Sequence, residues 1–515
     1  MNILVGDNDS GKSTILEALD LALSGIFKGR FIKGEINQSI FNNSCVANFL
    51  DSMGKGINLP PPEIKIEVFI SGDGVAAFEG NLNSEQETFS GFLFQIRLDG
   101  RNQDLYQEWV EAKDFESLPV ELYNSYIMPF SRDEELTHRH IPLKSAMIDS
   151  TNIRTNGDLY LSKILKDVLT NRETIDVARA FRNSVSAFSK DSSVVALNER
   201  IKDAASITNR KLSLAIEPPN KNAWESNIQT YIDEVPFSGN GKGEQSVIKT
   251  KIALSHKKAT TKNLLLIEEP ENHLSHATLN QLLNEIKESR LDRQVIITTH
   301  SNFVANKLGL SSLILLGPSG TVKLDAIDSE TQDFFEKIAG YDTLRMLLCK
   351  KAILVEGSSD ELIVQKAYMD NNNGRLPIED GIDVISVGIA FERFLKIATF
   401  VGLQIRVVTD NDGDPYFLDE KFNPYISDNI KVCFDKNIDS GSLIIGGKPY
   451  NYNTLEPKII KENGLAVINE ILNTSFVATE DLQRYMYRNK AECALRIFNS
   501  EIKLSYPSYI LNAII

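Results

Sequence analysis

The second half of the chain carries acidic residues at the ends of predicted strands, a placement that suits metal-dependent phosphate chemistry. Glu356 ends the apolar run KKAILVE, and Asp410 and Asp412 follow the apolar run QIRVV. Carboxylates gathered in one place need cations to stay charged, and their hard oxygen atoms favour Mg²⁺ or Mn²⁺. A pair of such ions can activate water and stabilise the leaving oxygen of a phosphodiester. These residue types therefore predict phosphodiester hydrolysis.

The surrounding elements predict a sheet that would bring these carboxylates together. From about residue 345, the segment RMLLCKKAILVEGSSDELIV has the pattern of a strand, a turn and a helix. The segment DVISVGIAFERFLKIATFVG has the pattern of a strand followed by a helix, and QIRVV is a third strand. Alternating strands and helices are typical of a parallel α/β fold. Because the carboxyl ends of parallel strands meet at one edge, we expect Glu356, Asp410 and Asp412 to lie close together there.

The first residues of the chain form a phosphate-binding pattern. The segment GDNDSGKST fits GxxxxGK followed by Ser, between the apolar NILV and a segment with helical spacing. Strand, glycine loop and helix are the order in which backbone N–H groups and a helix N-terminus cradle phosphates. We expect Lys12 to reach the β- and γ-phosphates of ATP and Ser13 to ligate Mg²⁺. A glycine-rich turn before a structural helix is the alternative. The nucleotide-binding residues predicted here are Gly6, Asn8, Gly11, Lys12, Ser13 and Thr14.

Two later strands end in residues that an ATPase needs. NLLLIEEPE places Glu268 and Glu269 at the end of a buried strand, and QVIITTHS places His300 after another. Glu268 suits Mg²⁺ through water, whereas Glu269 suits polarising the attacking water. His300 is placed to sense the γ-phosphate, and the alternative is an ordinary polar turn residue. His273 and His276, three residues apart, suit either a metal or an inter-subunit contact loop.

A glycine-rich segment, SGNGKGEQ (238–245), lies between the phosphate loop and these carboxylates and precedes the helical stretch SVIKTKIAL. Together the four motifs, in this order, resemble the ABC-type ATPase heads of the SMC and RecF group. The resemblance implies that ATP is sandwiched between two subunits, with Gly243 and Gln245 of the signature capping the γ-phosphate of the partner. This sequence departs from the Leu-Ser-Gly-Gly element, because Lys242 or Gly241 stands where a serine is frequent.

The glutamate of VEG, followed some fifty residues later by Asp-x-Asp, resembles a Toprim domain. An ABC-type head followed by Toprim in one chain resembles the OLD (overcoming lysogenisation defect) family, which includes the nuclease subunit of the Gabija antiphage system. The resemblance implies a late lysine, Lys490, that stabilises charge on the scissile phosphate. Glu361 is the alternative to Asp360 as the second member of the acidic pair in VEGSSDE, and Asp414 is an optional third acid after Asp410 and Asp412. The metal ligands implied are Glu356, Asp360, Asp410, Asp412, Thr454 and Glu456.

Composition limits the remaining possibilities. The chain has 515 residues, a net charge of −15 and 42% hydrophobic residues, which predicts a globular protein of more than one domain. The sequence has no signal peptide or membrane-spanning run, and its four scattered cysteines fit the cytoplasm. The chain starts unusually close to the phosphate loop, so we expect either a missing N-terminal segment or a natural variant.

The fold class expected is α/β: an ABC/SMC-RecF-like ATPase head over residues 1–345 and a Toprim domain over residues 346–515. The stretch at about 155–215 has helical periodicity, so we expect an inserted helical arm that makes a dimer, or else helices that cover the sheet.

The function predicted is an ATP-regulated, metal-dependent DNA endonuclease in antiphage defence. The alternative is a recombination-type DNA-binding ATPase with a structural Toprim domain. A primase or topoisomerase lacks support, because no zinc module or tyrosine nucleophile setting is evident. The partners expected are DNA and a second copy of the chain, with a UvrD-like helicase or a retron reverse transcriptase and its DNA–RNA product as further candidates.

Overall fold

A computed structural model describes twelve stretches of the chain. They are residues 1–28, 30–113, 115–132, 135–149, 169–201, 213–216, 224, 230–255, 264–289, 293–317, 320–338 and 340–515. No helix in these stretches is long and apolar enough to cross a membrane.

Strands and helices are interspersed over the first 298 residues. The strands are β1 (Asn2–Gly6), β2 (Ile26–Phe27), β3 (Arg30–Phe31), β4 (Ile64–Phe69), β5 (Glu79–Gly80), β6 (Phe89–Leu98), β7 (Tyr123–Pro129), β8 (Ser145–Asp149), β9 (Tyr231–Ile232), β10 (Val235–Pro236), β11 (Leu264–Glu268) and β12 (Gln294–Thr298). The helices are α1 (Lys12–Ser24), α2 (Asn43–Gly54), α3 (Gln103–Ala112), α4 (Asn171–Lys190), α5 (Ser192–Ile201), α6 (Lys242–Ser255) and α7 (His276–Ser289).

The remaining residues add a second series of elements. The strands are β13 (Leu313–Gly317), β14 (Gly320–Lys323), β15 (Lys351–Val355), β16 (Ile382–Ser386), β17 (Gln404–Val408), β18 (Ile430–Cys433), β19 (Ile444–Ile445) and β20 (Lys448–Pro449). The helices are α8 (Asn302–Leu308), α9 (Ser329–Lys337), α10 (Thr343–Leu348), α11 (Ser358–Asn371), α12 (Phe391–Val401), α13 (Pro415–Phe422), α14 (Leu455–Leu472), α15 (Thr479–Arg488), α16 (Lys490–Asn499) and α17 (Ser508–Ile514).

The chain divides into two compact units. The first unit contains Met1 and Gly11–Thr298, and the second contains Asn2–Ser10 and Thr299–Ile515. In the first unit, β8, β11 and β12 are parallel, with Leu264 of β11 paired with Ser145 and Gln294. A separate antiparallel sheet joins β4, β6 and β7.

The core of the first unit forms where α1 meets its strands. Leu16 and Leu23 of α1 are buried with Leu266 of β11 and with Phe92 and Phe94 of β6. This pattern follows from apolar residues spaced three and four apart along α1, which place one face of the helix against the sheet.

Part of the predicted helical arm lies in the described stretches and part lies outside them. Within the described part, α4 begins at a capping box in which Thr170 Oγ1 accepts the N–H of Glu173 at 3.3 Å. Helix α5 follows after Asp191. The role of these helices in dimerisation stays a prediction.

In the second unit, β15 to β18 form a parallel sheet in the order β16–β15–β17–β18. Ile353 and Val355 of β15 are fully buried in a core shared with α11 and the helices α14 to α17. Apolar strands of this kind are typical of parallel sheets, because such sheets are covered by helices. The predicted parallel sheet is therefore confirmed. In the same unit, β1 pairs in parallel with β13.

Candidate functional site

The carboxyl edge of the β15–β18 sheet gathers the acidic residues that the sequence predicted. Glu356 directly follows β15, and Asp410 and Asp412 follow β17, the neighbouring strand. Burial raises the pKa of Asp410 well above its ordinary value, and repulsion from Asp360, Glu456, Glu356 and Asp412 raises it further. These five carboxylates therefore share one electrostatic environment.

Asp360 lies in the first turn of α11 and is part of this group. Its carboxylate accepts the N–H of Gly357 at 3.0 Å. Burial raises the pKa of Asp360 to about 6, against the opposing effect of that hydrogen bond and with added repulsion from Glu356 and Glu456. A carboxylate with this pKa is stabilised either by a proton or by a nearby cation.

Glu361, the competing candidate for the role of Asp360, faces a different neighbourhood. Burial raises its pKa, and the charges that affect it are those of Arg345, Asp383 and Asp342 rather than those of the Asp410 group. The Glu361 side chain also accepts a hydrogen bond from Gln365 at 3.4 Å. The structure thus brings Asp360, and not Glu361, to the carboxylate group.

The starts of α14 and α16 complete the group. Glu456, in the first turn of α14, is buried, and its Oε1 lies 3.3 Å from Nζ of Lys490. Thr454 Oγ1 lies 3.5 Å from the other oxygen of Glu456. Burial lowers the pKa of Lys490, but the charges of Glu456, Asp410 and Asp360 outweigh it and raise the pKa overall. Lys490 is therefore held as a cation beside the carboxylates.

The loop that carries Asp410 and Asp412 is anchored by the residue between them. Asn411 is buried, and its Nδ2 donates to the backbone carbonyls of Asp435 and, at 2.9 Å, Asn437. Its Oδ1 accepts the N–H of Gly413 at 3.0 Å. The two aspartates are thereby fixed to the loop that follows β18.

The loop after β18 is in turn fixed to α14. Lys458 is 3% exposed, and its Nζ contacts Asp435 at 2.5 Å and Asp439 at 2.7 Å. Asn453 donates to the carbonyl of Asp439 at 2.9 Å and accepts its N–H at 2.7 Å. We call Asn411, Asn453 and Lys458 the anchor residues. Sequence reasoning missed them, although the position of Asn411 between two predicted ligands was an available signal.

Asp414 has a structural task at the start of α13. Its Oδ1 accepts the N–H of Phe417 at 3.0 Å, so it caps the helix. On the other side of the loop, Asn451 Nδ2 donates to Asp412 Oδ1 at 2.8 Å. The neutral amide of Asn451 thus orients Asp412, whereas the carboxylate of Asp414 is engaged by a backbone N–H at the start of α13.

The donor chemistry of the carboxylate edge fits a divalent cation. Several carboxylates lie near one another, and three of them, Glu356, Asp360 and Asp410, have pKa values raised by burial and mutual repulsion, which a cation would relieve. Within the described stretches, no three His, Cys, Asp or Glu side chains stand in a ready-made metal arrangement. The assignment of the metal ligands stays a prediction.

The phosphate loop has a conformation that its glycines require. Gly11 has a φ of 90°, and a Cβ added to Gly6 would lie 2.6 Å from Ser10 Oγ. Lys12 is buried at the start of α1, whereas Ser13 and Thr14 are exposed, as is Asn8 earlier in the loop. This strand, loop and helix order is the one predicted.

The downstream ATPase residues also follow their predicted strands. Glu268 is the last residue of β11 and is buried, and Glu269 follows it with a φ of 43°. The carboxylate of Glu269 accepts a hydrogen bond from Asn272 at 2.7 Å. His300 is exposed just beyond β12. The positions agree with the sequence prediction, and the catalytic roles stay predictions.

The signature segment differs locally from expectation, because α6 begins at Lys242, several residues before SVIKTKIAL. Gly243 and Gln245 therefore lie in the first turn of a helix. A Cβ on Gly243 would lie 2.3 Å from the carbonyl of His273, so close packing already requires a glycine there. Gln245 is buried and donates to the carbonyl of Asn240 at 2.7 Å. Their action on a partner's nucleotide stays a prediction.

Two family models match the chain. Residues 1–306 match the model described as AAA domain, putative AbiEii toxin, Type IV TA system. Residues 347–412 match the model described as overcoming lysogenization defect protein-like, TOPRIM domain. The second match begins just before β15 and ends at Asp412, so it covers Glu356, Asp360 and Asp410.

Solved structures of SMC heads are also similar to the chain. One, bound to the C-winged helix domain of ScpA, is 15% identical, with 63% of this chain and 90% of that chain covered and a TM-score of 0.28. A Pyrococcus furiosus head bound to the C-terminal domain of ScpA is 12% identical, with coverage of 65% and 92% and a TM-score of 0.30. The Thermotoga maritima head is 13% identical, with coverage of 62% and 89% and a TM-score of 0.24. No curated protein matches the chain.

Proposed function

The chain belongs to the AAA ATPase family that its first 306 residues match and, with its OLD-like Toprim domain, is an OLD-family protein. From this premise we propose that it is an ATP-regulated, divalent-metal-dependent DNA endonuclease in antiphage defence. The observation that carries the proposal is the carboxylate edge, where the half-buried Asp360 and Asp410 lie beside further acidic groups. Desolvated carboxylates of this kind are more typical of a metal-dependent active site than of a structural surface.

The residues that would hold Mg²⁺ or Mn²⁺ share carboxylate or hydroxyl oxygen atoms. They are Glu356, Asp360, Asp410, Asp412, Thr454 and Glu456. Such ions, when bound, activate water and stabilise the leaving oxygen of a phosphodiester. The protein itself has to hold these ligands in place. The anchor residues Asn411, Asn453 and Lys458 do this by fixing the loop of Asp410 and Asp412 and the loop after β18.

Lys490 supplies the positive charge of the site. Its ammonium group lies 3.3 Å from Glu456 and is kept protonated by the surrounding carboxylates. A fixed cation beside the scissile phosphate stabilises the negative charge that develops during hydrolysis. We therefore assign Lys490 to transition-state stabilisation.

The AAA domain would bind ATP through the phosphate loop, with Lys12 on the phosphates and Ser13 and Glu268 at its Mg²⁺. Glu269 would polarise water, and His300 would respond to the γ-phosphate. Two copies of the chain would close over the nucleotide, each offering Gly243 and Gln245 to the other. Size measurement with multi-angle scattering, with and without ATP, tests this homodimer.

A continuous set of contacts within the second unit connects the neighbourhood of His300 to the Toprim sheet. Asn302, two residues after His300, accepts the N–H of Leu344 at 2.7 Å and donates to Asp342 at 3.2 Å. One turn later, the buried Asn306 accepts the hydroxyl of Thr343 at 2.6 Å. Helix α8 is therefore tied to α10 by side-chain hydrogen bonds.

Helix α10 is tied to the Toprim sheet by an arginine. Arg345 donates to both oxygens of Asp383 in β16, at 3.0 and 2.6 Å, and to Asp342 at 2.8 Å. At the other end of β16, Ser386 Oγ donates to the carbonyl of Glu356 at 3.2 Å. These contacts support our proposal that nucleotide binding alters the geometry of the Toprim site.

A plasmid nicking assay with Mg²⁺ or Mn²⁺, with and without ATP, tests the proposed function. We expect the parent chain to cleave and Asp410→Asn to lose activity on the order of 10²-fold or more, because a metal ligand is removed. Asp414→Asn is the matched control, since asparagine also caps helices and Asp414 serves the backbone.

The outcomes separate the two candidate functions. Cleavage that survives Asp410→Asn contradicts the site assignment. ATP hydrolysis and DNA binding without any cleavage, under every metal condition, would favour the recombination-type ATPase with a structural Toprim domain. A helicase of the UvrD type or a retron reverse transcriptase with its DNA–RNA product is the partner we would add first.

A further inference from the structure

Two aromatic rings stand exposed just beyond the predicted metal ligands. In α13, Tyr416 is 82% and Phe417 58% exposed, whereas Pro415 and Phe422 of the same helix are buried. The helix is thus already packed through other residues, and these two rings add nothing to its core. Large exposed apolar groups in adjacent positions frequently mark an interaction surface.

The rings are held at a fixed place relative to Asp412. The N–H of Phe417 is bonded to Asp414, and the N–H of Asp414 is bonded to the carbonyl of Asn411 at 2.8 Å. Tyr416 lies four positions after Asp412 along the chain, so their Cα atoms are at most about 14 Å apart. That distance corresponds to about four nucleotide steps along a stacked strand.

A lysine of the same helix lies near one of the rings, and the helix also carries Asp419 and Glu420. Lys421 of the same helix has its Nζ 6.0 Å from the centre of the Phe417 ring. Lys490 lies beside the carboxylate edge, where its Nζ is 3.3 Å from Glu456 Oε1. A nucleic-acid strand combines a negative backbone with flat bases, and aromatic rings beside lysines are complementary to both.

We propose that Tyr416 and Phe417 form a stacking platform for a base of the DNA strand being cut, so that the enzyme prefers DNA with unpaired bases beside the cleaved bond. This inference rests on the proposed endonuclease function. Bases in a continuous duplex are already stacked on one another, so an unpaired or flipped base stacks on a protein ring at a lower free-energy cost. The preferred substrates would be bubbles, flaps and single strands.

The first test is kinetic. We compare a short duplex that contains an unpaired bubble with a fully paired duplex of the same cut strand. The double variant Tyr416→Ala, Phe417→Ala should raise KM for the bubble substrate about 5- to 100-fold, with little change in kcat. Neither KM nor kcat for the fully paired duplex should change much. The aromatic exchange Tyr416→Phe, Phe417→Tyr should restore KM. Phe400→Ala, which removes a 40% exposed ring at the end of α12, is the matched control.

The second test measures stacking without cleavage. In the full-length Asp410→Asn variant, 2-aminopurine placed in the bubble should lose fluorescence on binding, and this loss should disappear when both rings are alanine. An equal loss of affinity for both substrates, or unchanged quenching, would overturn the platform. A shift from dimer to monomer in the alanine variant, with quenching unchanged, would identify the rings as a protein contact and overturn it too.

The two tests also separate this inference from the function on which it rests. If the parent cleaves but the alanine variant shows no preference change, only the platform is wrong. If the parent does not cleave any DNA, the proposed function fails, and the fluorescence measurement alone decides whether the rings stack on a base.

Discussion

The phosphate loop and the carboxylate edge differ in how the chain builds them. The loop is one continuous segment, and its shape depends on local backbone features such as the positive φ of Gly11 and the tight contact at Gly6. The carboxylate edge instead combines loops after β15, β17 and β18 with the starts of α14 and α16. The continuous motif therefore depends on fewer distant residues than the assembled site does, although Gly6 also packs against the carbonyl of Leu316 in β13, which would lie 2.7 Å from an added Cβ.

The largest effect should come from Lys458, which fixes the loop after β18. Lys458→Met removes a buried cation that contacts Asp435 and Asp439, and leaves their negative charges without this partner. We expect unfolding free energy to fall by about 3 kcal/mol, measured by urea denaturation. Lys461→Met, which removes an exposed partner of Asp439, is the control. Equal effects of the two variants would show that burial of Lys458 is unimportant.

The second-largest effect should come from removing the metal from the carboxylate edge. The pKa of Asp360 is raised to about 6 from an ordinary value of about 4. Between these two pH values the native state therefore binds more protons than the unfolded state. As a result, the metal-free protein loses stability as the pH rises from about 4 to about 6. Mg²⁺ or Mn²⁺ at a hundredfold excess over its dissociation constant should stabilise by about 2.7 kcal/mol. The effect should be larger at about pH 7.5 than at about pH 5, because protons compete with the metal.

Calorimetry or a thermal melt at both pH values checks this prediction. ATP must be absent, so that the phosphate loop does not contribute a second metal site. The Asp410→Asn variant should show a much smaller metal effect. An identical metal effect in parent and variant would place the cation elsewhere.

Asn411→Ala tests whether the anchor is as important as the ligands. The change leaves every predicted ligand in place but removes the bonds to the carbonyls of Asp435 and Asn437. We expect a 10- to 100-fold loss of cleavage or metal affinity, typical of residues that orient metal ligands. Lys12→Ala is the contrast, because it should abolish the ATP response while ATP-free cleavage persists. Wild-type metal affinity in Asn411→Ala would contradict the anchoring role.

The smallest effect should come from Asn302→Ala, which cuts one link between α8 and α10. We expect the ATP response of cleavage to change about 2- to 30-fold, the range for residues that modulate coupling. Cleavage without ATP should be unchanged. The same loss with and without ATP would indicate simple damage to the fold.

Much of this architecture was accessible from the sequence because its signals are local. The strand, turn and helix at Glu356 and the strand, glycine loop and helix at residues 2–24 depend on neighbours along the chain. Periodicity and glycine positions therefore predicted them. The AAA and OLD-like Toprim matches confirm the domain types.

The remainder depended on tertiary contacts that periodicity does not encode. Only the fold shows that Asp360 faces Glu456 while Glu361 faces Arg345. The partners of Asn411 lie more than twenty residues away, in a loop with no motif of its own. The start of α6 at Lys242 was missed because its first turn consists of glycine and charged residues, which resemble a loop.

The inward position of Asn411 has a consequence for how this segment tolerates change in length. The Asn411 side chain contacts the supporting loop, whereas Asp410 and Asp412 on either side of it belong to the acidic group, and Asp412 has a positive φ of 48°. An inserted or deleted residue would turn an aspartate towards the carbonyls of Asp435 and Asn437 and the amide towards the ions. In a library of variants, the spacing of the two aspartates should therefore be more rigidly preserved than the identity of many buried residues around it.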